Sequence, residues 1–173
     1  LLVQLRIGRK MPLGSQVLLS VLVGAILLAK ISLLDYVSDD YDIFLSNWIY
    51  EYSEMGIKEG LGTYIASDYS PLLISRVKNY PWQYLVKAAS ILADLLLGYA
   101  VMKLASLKIR GTGSKLMILN LTMILPTVVF NGAYWGQCDA IYCSLCLMAL
   151  YMGLKKRGAA CMLFFGAALS FKL

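Results

Sequence analysis

The chain has 173 residues, of which 60% are hydrophobic and only 15% are charged, and its mean hydropathy is +0.69. This composition excludes an ordinary soluble domain and indicates a membrane protein with several spans. The net charge of +6 does not indicate a nucleic-acid partner, because no basic face carries interleaved aromatic residues, and four cysteines without any histidine argue against a disulfide framework or a His-built metal site.

Five apolar segments predict an all-α, polytopic transmembrane helical bundle. They cover residues 16–37, 83–104, 116–131, 138–154 and 159–173. Each of the first four is near the length of about 20 residues that crosses a membrane. The first follows a basic start but precedes no small-residue cleavage site, so we expect a retained span and not a signal peptide. The last is still hydrophobic at Leu173, and we expect the chain to be the N-terminal part of a longer protein.

Charged residues are distributed unevenly between the connecting segments. The N-terminus, the loop after the second span and the turn after the fourth carry three basic residues each and no acid, whereas residues 38–82 carry seven acids against three bases. The positive-inside rule then places the N-terminus in the cytoplasm. The loop of residues 38–82 and the short segment 131–139 are both predicted on the outer side.

Residues 38–52 predict an amphipathic helix at the outer membrane surface. Its apolar side chains recur at helical spacing and form one stripe, composed of Tyr41, Phe44, Leu45, Trp48, Ile49 and Tyr52. Asp39 and Asp40 stand at its start, where the helix dipole stabilises acids. We interpret this junction of a span with water as the edge of an active site, with Asp40 as its general base.

The segment NGAYWGQCD is the second candidate part of this site. Its polar and aromatic members include Asn131, Trp135, Gln137 and Asp139. Polar groups at membrane depth are costly unless they bind something or pair. The alternative is a polar hairpin in which Asp139 caps the following helix. Because the segment is predicted on the same side as Asp40, we favour a binding site.

The first two apolar segments contain charged residues, among them Lys30, Asp35, Lys87 and Asp94. Lys87 and Asp94 share one face of the second segment, about 10 Å apart at 1.5 Å per residue. They are predicted to pair structurally, with each other or with other helices, more readily than to act in catalysis. Lys30 and Asp35, near the end of the first span, are predicted to extend to the surface.

Lys172 follows a fully apolar stretch near the end of the chain. By alternation of the spans it is predicted on the outer side, near the two polar segments. A lysine there suits a lipid-linked phosphate, because its ammonium group is a compact point charge. An ordinary interfacial anchor is an equally good interpretation.

The order of these features resembles that of the GT-C glycosyltransferases, membrane enzymes that use polyprenyl-phosphate-linked sugars. A short N-terminus and one span are followed by a large outer loop, which opens with an acid and an amphipathic helix, and then by further spans. More closely, the chain is similar to the bacterial mannosyltransferase-like proteins related to the second mannosyltransferase of GPI-anchor synthesis. The segments that carry this similarity are DYDIFLSNW at 40–48, DYSP at 68–71, FNGAYWGQCDAIY at 130–142 and GAALSFK at 166–172.

The resemblance implies an inverting transfer of a sugar, taken as mannose, from a polyprenyl-phosphate carrier to a hydroxyl of a glycan or glycolipid. The reaction would take place on the outer face of a bacterial cell membrane. The catalytic acid falls at Asp40, and Asp139 and Lys172 are further site positions. The remaining positions assigned to substrate binding are Tyr69, Asn131, Trp135 and Gln137. The lipid-linked sugar is the donor, and assistance by a divalent metal is left open.

Two other classes of function fit the same topology. A transporter or flippase of the lipid-linked sugar would also carry Lys87, Asp94 and Lys172 in or near spans. It would be expected to show broken helices or internal repeats, and neither is clear from the sequence. A non-catalytic membrane subunit would keep the topology and tolerate the loss of Asp40 and Asp139.

Overall fold

A computed structural model describes residues 12–39, 41–48, 50–51, 54–55, 82–137 and 139–172. Every secondary-structure element in these ranges is helical, which confirms the predicted all-α class. The longer helices are α1 (Leu13–Ile31), α2 (Trp82–Ala105), α3 (Thr112–Ile124), α5 (Asp139–Leu154) and α6 (Gly158–Lys172). The short elements are a π-helical turn (Tyr41–Leu45), α4 (Pro126–Val129) and a second π-helical turn (Phe130–Tyr134).

Two helices are long and apolar enough to cross a membrane, namely Leu13–Ile31 and Gln83–Ala105. The pair Thr112–Ile124 and Pro126–Tyr134 is a third candidate if it counts as one span, bent by 58°. The helices α5 and α6 are apolar but shorter, at 16 and 15 residues. The described chain is therefore that of a membrane protein with two or three candidate spans, and the five predicted crossings stay a prediction.

The first helix ends earlier than the sequence predicts. The apolar run continues to residue 37, but α1 ends at Ile31. The backbone N–H groups that follow bond three residues back, from Leu33 to Lys30, from Leu34 to Ile31 and from Tyr36 to Leu33. Bonds of this kind tighten the chain into 3₁₀-like turns. Hydropathy does not distinguish such turns from a continuing helix, so α1 ends about two turns before the apolar segment does.

The third apolar segment is broken at Pro126. Leu125 has φ −53° and ψ 130°, an extended conformation that the ring of a following proline favours sterically. Proline also lacks the N–H group that would continue the helix. The predicted span over 116–131 is therefore a bent pair of helices, α3 and a second helical piece at 58° to it, which stays a candidate span.

Helix α2 is central to the described bundle. It packs against α3, α5 and the turn Phe130–Tyr134, while α5 packs against α6 and α1 against α3. Small residues allow close approach: a Cβ atom on Gly98 would lie 3.2 Å from the carbonyl oxygen of Leu119. Four alanines of α2 and α5 are also buried, at positions Ala93, Ala100, Ala140 and Ala149. Small residues of this kind are typical of helix interfaces in lipid.

The turn between α5 and α6 contains a strained residue. Lys156 has φ 58°, in the left-handed region that costs a residue with a Cβ atom about 1–2 kcal/mol. Its N–H group bonds to Gly153 and that of Arg157 to Met152, which is the pattern of a Schellman helix end.

Lys156→Gly is expected to be more stable than Lys156→Ala by about 0.5–1 kcal/mol, because glycine adopts this conformation without strain. The measurement is a chemical unfolding titration of both variants in the same micelles. Lys156→Ala is the matched control, since it removes the same charge and keeps the strained conformation. Equal stability of the two variants would contradict this explanation.

Candidate functional site

After the turns that follow α1, the next helix begins at Ser38. The side chain of Ser38 is buried, since the residue is 1% exposed. The Oγ atom of Ser38 accepts a hydrogen bond from the backbone N–H of Tyr41 at 3.2 Å. This is an N-cap arrangement, in which a hydroxyl satisfies an N–H group of the first helical turn. The same hydroxyl donates to the carbonyl oxygen of Trp135 at 2.9 Å. One side chain thus attaches the segment that contains Asp40 to the segment after α4.

Aromatic contacts join the same two segments. The rings of Tyr36 and Tyr134 stack, with centroids 3.9 Å apart and planes 16° from parallel. Tyr134 also meets Phe130 and Trp135 edge-on, with centroids at 5.7 and 5.8 Å. The edge-on arrangement is a favoured geometry for aromatic pairs. Phe130 and Trp135 remain 45% and 42% exposed, so this aromatic cluster keeps an open face.

The segment after α4 folds into a tight turn. The N–H of Trp135 bonds to the carbonyl of Phe130, five residues back, and the N–H of Gln137 bonds to the carbonyl of Asn131. Gly136 has φ 72°, which a residue without a Cβ atom adopts readily. The local backbone therefore brings Asn131, Trp135 and Gln137 together. We define the rim as residues 36–41 together with residues 130–137.

Lys30 and Asp94 form a buried ion pair between α1 and α2. The Nζ atom of Lys30 lies 2.5 Å from Oδ2 of Asp94, and the two side chains are 0% and 1% exposed. The prediction that Lys30 extends to the surface is wrong, because α1 ends one residue later and its last turn contacts α2. Oδ1 of Asp94 has no hydrogen-bond partner within the described part of the chain. A Cβ atom on Gly132 would lie 2.6 Å from Oδ2, so the ion pair contacts the rim directly.

Lys87 binds the turns that follow α1, and not Asp94. Its Nζ atom donates to the backbone carbonyl of Leu33 at 2.8 Å and to that of Tyr36. The same atom lies 5.9 Å from the centroid of the Tyr36 ring. The sequence left open whether Lys87 and Asp94 pair with each other or with other helices. In the structure each contacts another part of the bundle.

Tyr41 packs the start of the predicted interfacial helix onto α2. Burial raises the pKa of Tyr41, while a hydrogen bond with the backbone of Gln83 opposes this change. Tyr41 is therefore neutral at pH 7. Ile43 and Phe44 point away from the bundle, at 57% and 50% exposure, as an interfacial helix requires. The turn Tyr41–Leu45 is π-helical, whereas the sequence prediction assumed the residue spacing of an α-helix.

Predicted site residues from the 131–139 segment lie within or beside the rim. Asn131, Trp135 and Gln137 belong to its turn. Asp139 is the first residue of α5, where the helix dipole stabilises a carboxylate. The capping interpretation of Asp139 is therefore compatible with its position, and so is a role at the edge of the site.

The other predicted site residues have no described side chain. Asp40 and Tyr69 lie outside the described residues, as does the side chain of Lys172, whose backbone ends α6. The described acid next to Asp40 is Asp39, which is exposed and within electrostatic range of the Tyr134 hydroxyl.

The described side chains of the rim are mainly hydroxyl, amide and aromatic groups. They can hydrogen-bond a hydroxyl-rich ligand and offer it an exposed aromatic surface at Trp135. No group of three or more cysteines or carboxylates that could hold a metal ion occurs among the residues that the structure describes.

Sequence reasoning missed Ser38 and Gly136 as parts of the site. A serine directly before acids and a periodic apolar run is a signal for a helix start, and a glycine between aromatic and polar residues is a signal for a turn. The chain matches no protein-family model, and neither a curated protein nor a solved structure matches it.

Proposed function

We propose that the protein is a membrane glycosyltransferase with the rim as its active site. It would move a sugar from a polyprenyl-phosphate carrier to an acceptor hydroxyl. The observation that supports this most is the pair of hydrogen bonds made by Ser38, to Tyr41 and to Trp135. They join the two segments that the sequence indicates as parts of one site. The resemblance of both segments to GT-C enzymes supports the same reaction.

In the proposed reaction Asp40 is the general base. It takes the proton of the acceptor hydroxyl while the hydroxyl oxygen forms a bond to the anomeric carbon. The bond from that carbon to the phosphate oxygen breaks, and the polyprenyl phosphate leaves as an anion, so no strong acid is needed. A cation stabilises the charge that accumulates on the phosphate, and we assign this role to Lys172. A single displacement inverts the anomeric carbon.

The remaining predicted site residues are assigned to substrate binding. Asn131, Gln137 and Asp139 would hydrogen-bond the sugar hydroxyls, while Trp135 and Tyr69 would contact the sugar or its carrier. The donor is proposed to be a mannosyl lipid, and the acceptor a glycan or glycolipid on the outer face of a bacterial cell membrane. The surrounding bilayer supplies the lipid-linked donor.

Asp40→Asn is expected to reduce sugar transfer by about a hundredfold, because a general base typically contributes about 10²–10⁴ in rate. The measurement is transfer of radiolabelled mannose from the lipid-linked donor, in membranes that contain the full protein and the native acceptors. Asp42→Asn is the matched control, since it removes an exposed carboxylate two residues further along the same segment. Turnover of Asp40→Asn close to wild type would remove Asp40 from the mechanism.

A transporter of the same lipid-linked sugar is the second candidate. It is favoured by the helix break at Pro126 and by the buried pair of Lys30 and Asp94. Broken helices and paired charges at membrane depth are typical of transport proteins. In reconstituted vesicles, movement of the labelled carrier between leaflets without sugar transfer would favour the transporter, and transfer to an acceptor would favour the enzyme.

A further inference from the structure

Lys87 is a buried cation bound by neutral groups. It is 1% exposed, and its hydrogen-bond acceptors are the backbone carbonyls of Leu33 and Tyr36, in the turns that follow α1. A lysine ammonium group has three N–H donors and no acceptor, so backbone carbonyl oxygens can satisfy it. A buried ammonium group is costly without such partners. The charge of Lys87 therefore fixes where these two carbonyls lie.

The side-chain stem of Lys87 contacts the other half of the rim. Its Cγ and Cε atoms lie 3.5 and 3.9 Å from the position that a Cβ atom on Gly136 would occupy. Gly136 therefore lies beside the lysine stem, and its φ of 72° is the reason that glycine suits this position. Lys87 is thus in contact with both chain segments that form the rim.

The contacts made by Tyr36 and Ser38 continue this connection toward Asp40. The ring of Tyr36, whose carbonyl Lys87 binds, stacks on Tyr134. Ser38, two residues later, bonds to the carbonyl of Trp135. Tyr36 and Ser38 lie four and two residues before Asp40 in the sequence. Displacing the Tyr36 carbonyl would therefore move the segment from which Asp40 extends.

We propose that Lys87 is a positioning residue of the rim, whose ammonium group holds the carbonyls of Leu33 and Tyr36 so that the Asp40 segment stays against residues 130–137. Its effect on catalysis rests on the proposed glycosyltransferase function. Its holding role does not, because it follows from hydrogen bonds within the chain. Lys87 acts through the backbone and not on the substrate.

Lys87→Met tests the holding role by hydrogen exchange of the full protein in nanodiscs. The backbone amides of the rim are expected to exchange about tenfold faster or more, because the two carbonyls lose a charged donor. Lys103→Met is the matched control. Lys103 lies in the last turn of the same helix, with its Nζ atom 5.2 Å from the Tyr99 ring centroid, and its removal should leave exchange in the rim unchanged. Lys87→Gln removes the charge with a smaller change in polarity and replaces Lys87→Met if that variant does not fold.

Sugar transfer provides the second measurement. Lys87→Met is expected to lower kcat by about tenfold to a hundredfold, as displacement of a catalytic group does, with the KM for the lipid-linked donor within about twofold of wild type.

Faster hydrogen exchange throughout the chain, or unchanged exchange in the rim, would overturn the positioning role. Faster exchange confined to the rim, in a protein whose wild type transfers no sugar, would support the holding role and reject the glycosyltransferase.

Discussion

Asp94→Asn is expected to lower the free energy of unfolding by about 3 kcal/mol, because removal of one partner from a buried ion pair leaves the other charge uncompensated. Lys30 would then keep its ammonium group at 0% exposure without the carboxylate now 2.5 Å away. Asparagine has nearly the shape of aspartate, so the change opens no cavity and adds no bulk beside Gly132. A denaturing titration with SDS in mixed micelles, followed by circular dichroism, measures the loss.

A double-mutant cycle shows whether this loss comes from the ion pair. Lys30→Met is expected to destabilise the protein by itself, and the combined variant should lose at least about 1 kcal/mol less than the sum of the single losses. Asp42→Asn is the matched control, since it removes an exposed carboxylate that lies outside the contact of α1 with α2, and it should change stability little. Additive losses within about 0.5 kcal/mol would show that the two charges do not stabilise each other.

Gly132→Ala is expected to cost about 2–3 kcal/mol, at the upper end of what one extra methyl group costs in a packed interior. The added Cβ atom would lie 2.6 Å from Oδ2, 3.2 Å from Cγ and 3.3 Å from Oδ1 of Asp94. The carboxylate cannot move away freely, because Oδ2 is bound to Lys30. Either the ion pair or the π-helical turn must therefore shift. The same SDS titration measures the change.

Gly24→Ala is the control for the glycine substitution. Gly24 lies inside α1, and a Cβ atom there would meet nothing within 4 Å in the described structure. Alanine at such a site is expected to be neutral or to stabilise the helix by up to about 1 kcal/mol. If Gly132→Ala were as stable as Gly24→Ala, the close contact between Gly132 and the Asp94 carboxylate would be contradicted.

The ends of a helix could be predicted from the sequence where the apolar segment and the helical hydrogen bonding stop at nearly the same residue. The second segment, predicted at 83–104, is observed as Trp82–Ala105, and the fourth, predicted at 138–154, as Asp139–Leu154. The ends of α1 and α3 were not predictable in this way. The chain remains apolar there, while local turns after Ile31 and the ring of Pro126 interrupt the helices.

The two segments of the candidate site were predictable because polar residues are conspicuous in a strongly apolar chain. Their contacts were not. Lys30 and Asp94 are 64 positions apart, and their pairing depends on how α1 and α2 are rotated about their axes. A helix that is apolar on most of its surface gives little information about its rotation, so the sequence left the partner of each charge open.

The described helices differ in length, and this affects how the protein fits a lipid membrane. Helix α2 has 24 residues and α5 has 16, which correspond to about 36 Å and 24 Å at 1.5 Å per residue. A hydrocarbon core is about 30 Å thick. If α5 crosses the membrane as the sequence predicts, either the helix stops inside the core or the two bilayer surfaces approach each other beside it, while a crossing α2 must tilt or extend into the headgroups. Short-chain lipids would reduce the mismatch at α5, so the acyl-chain length of the host membrane becomes part of what stabilises this bundle.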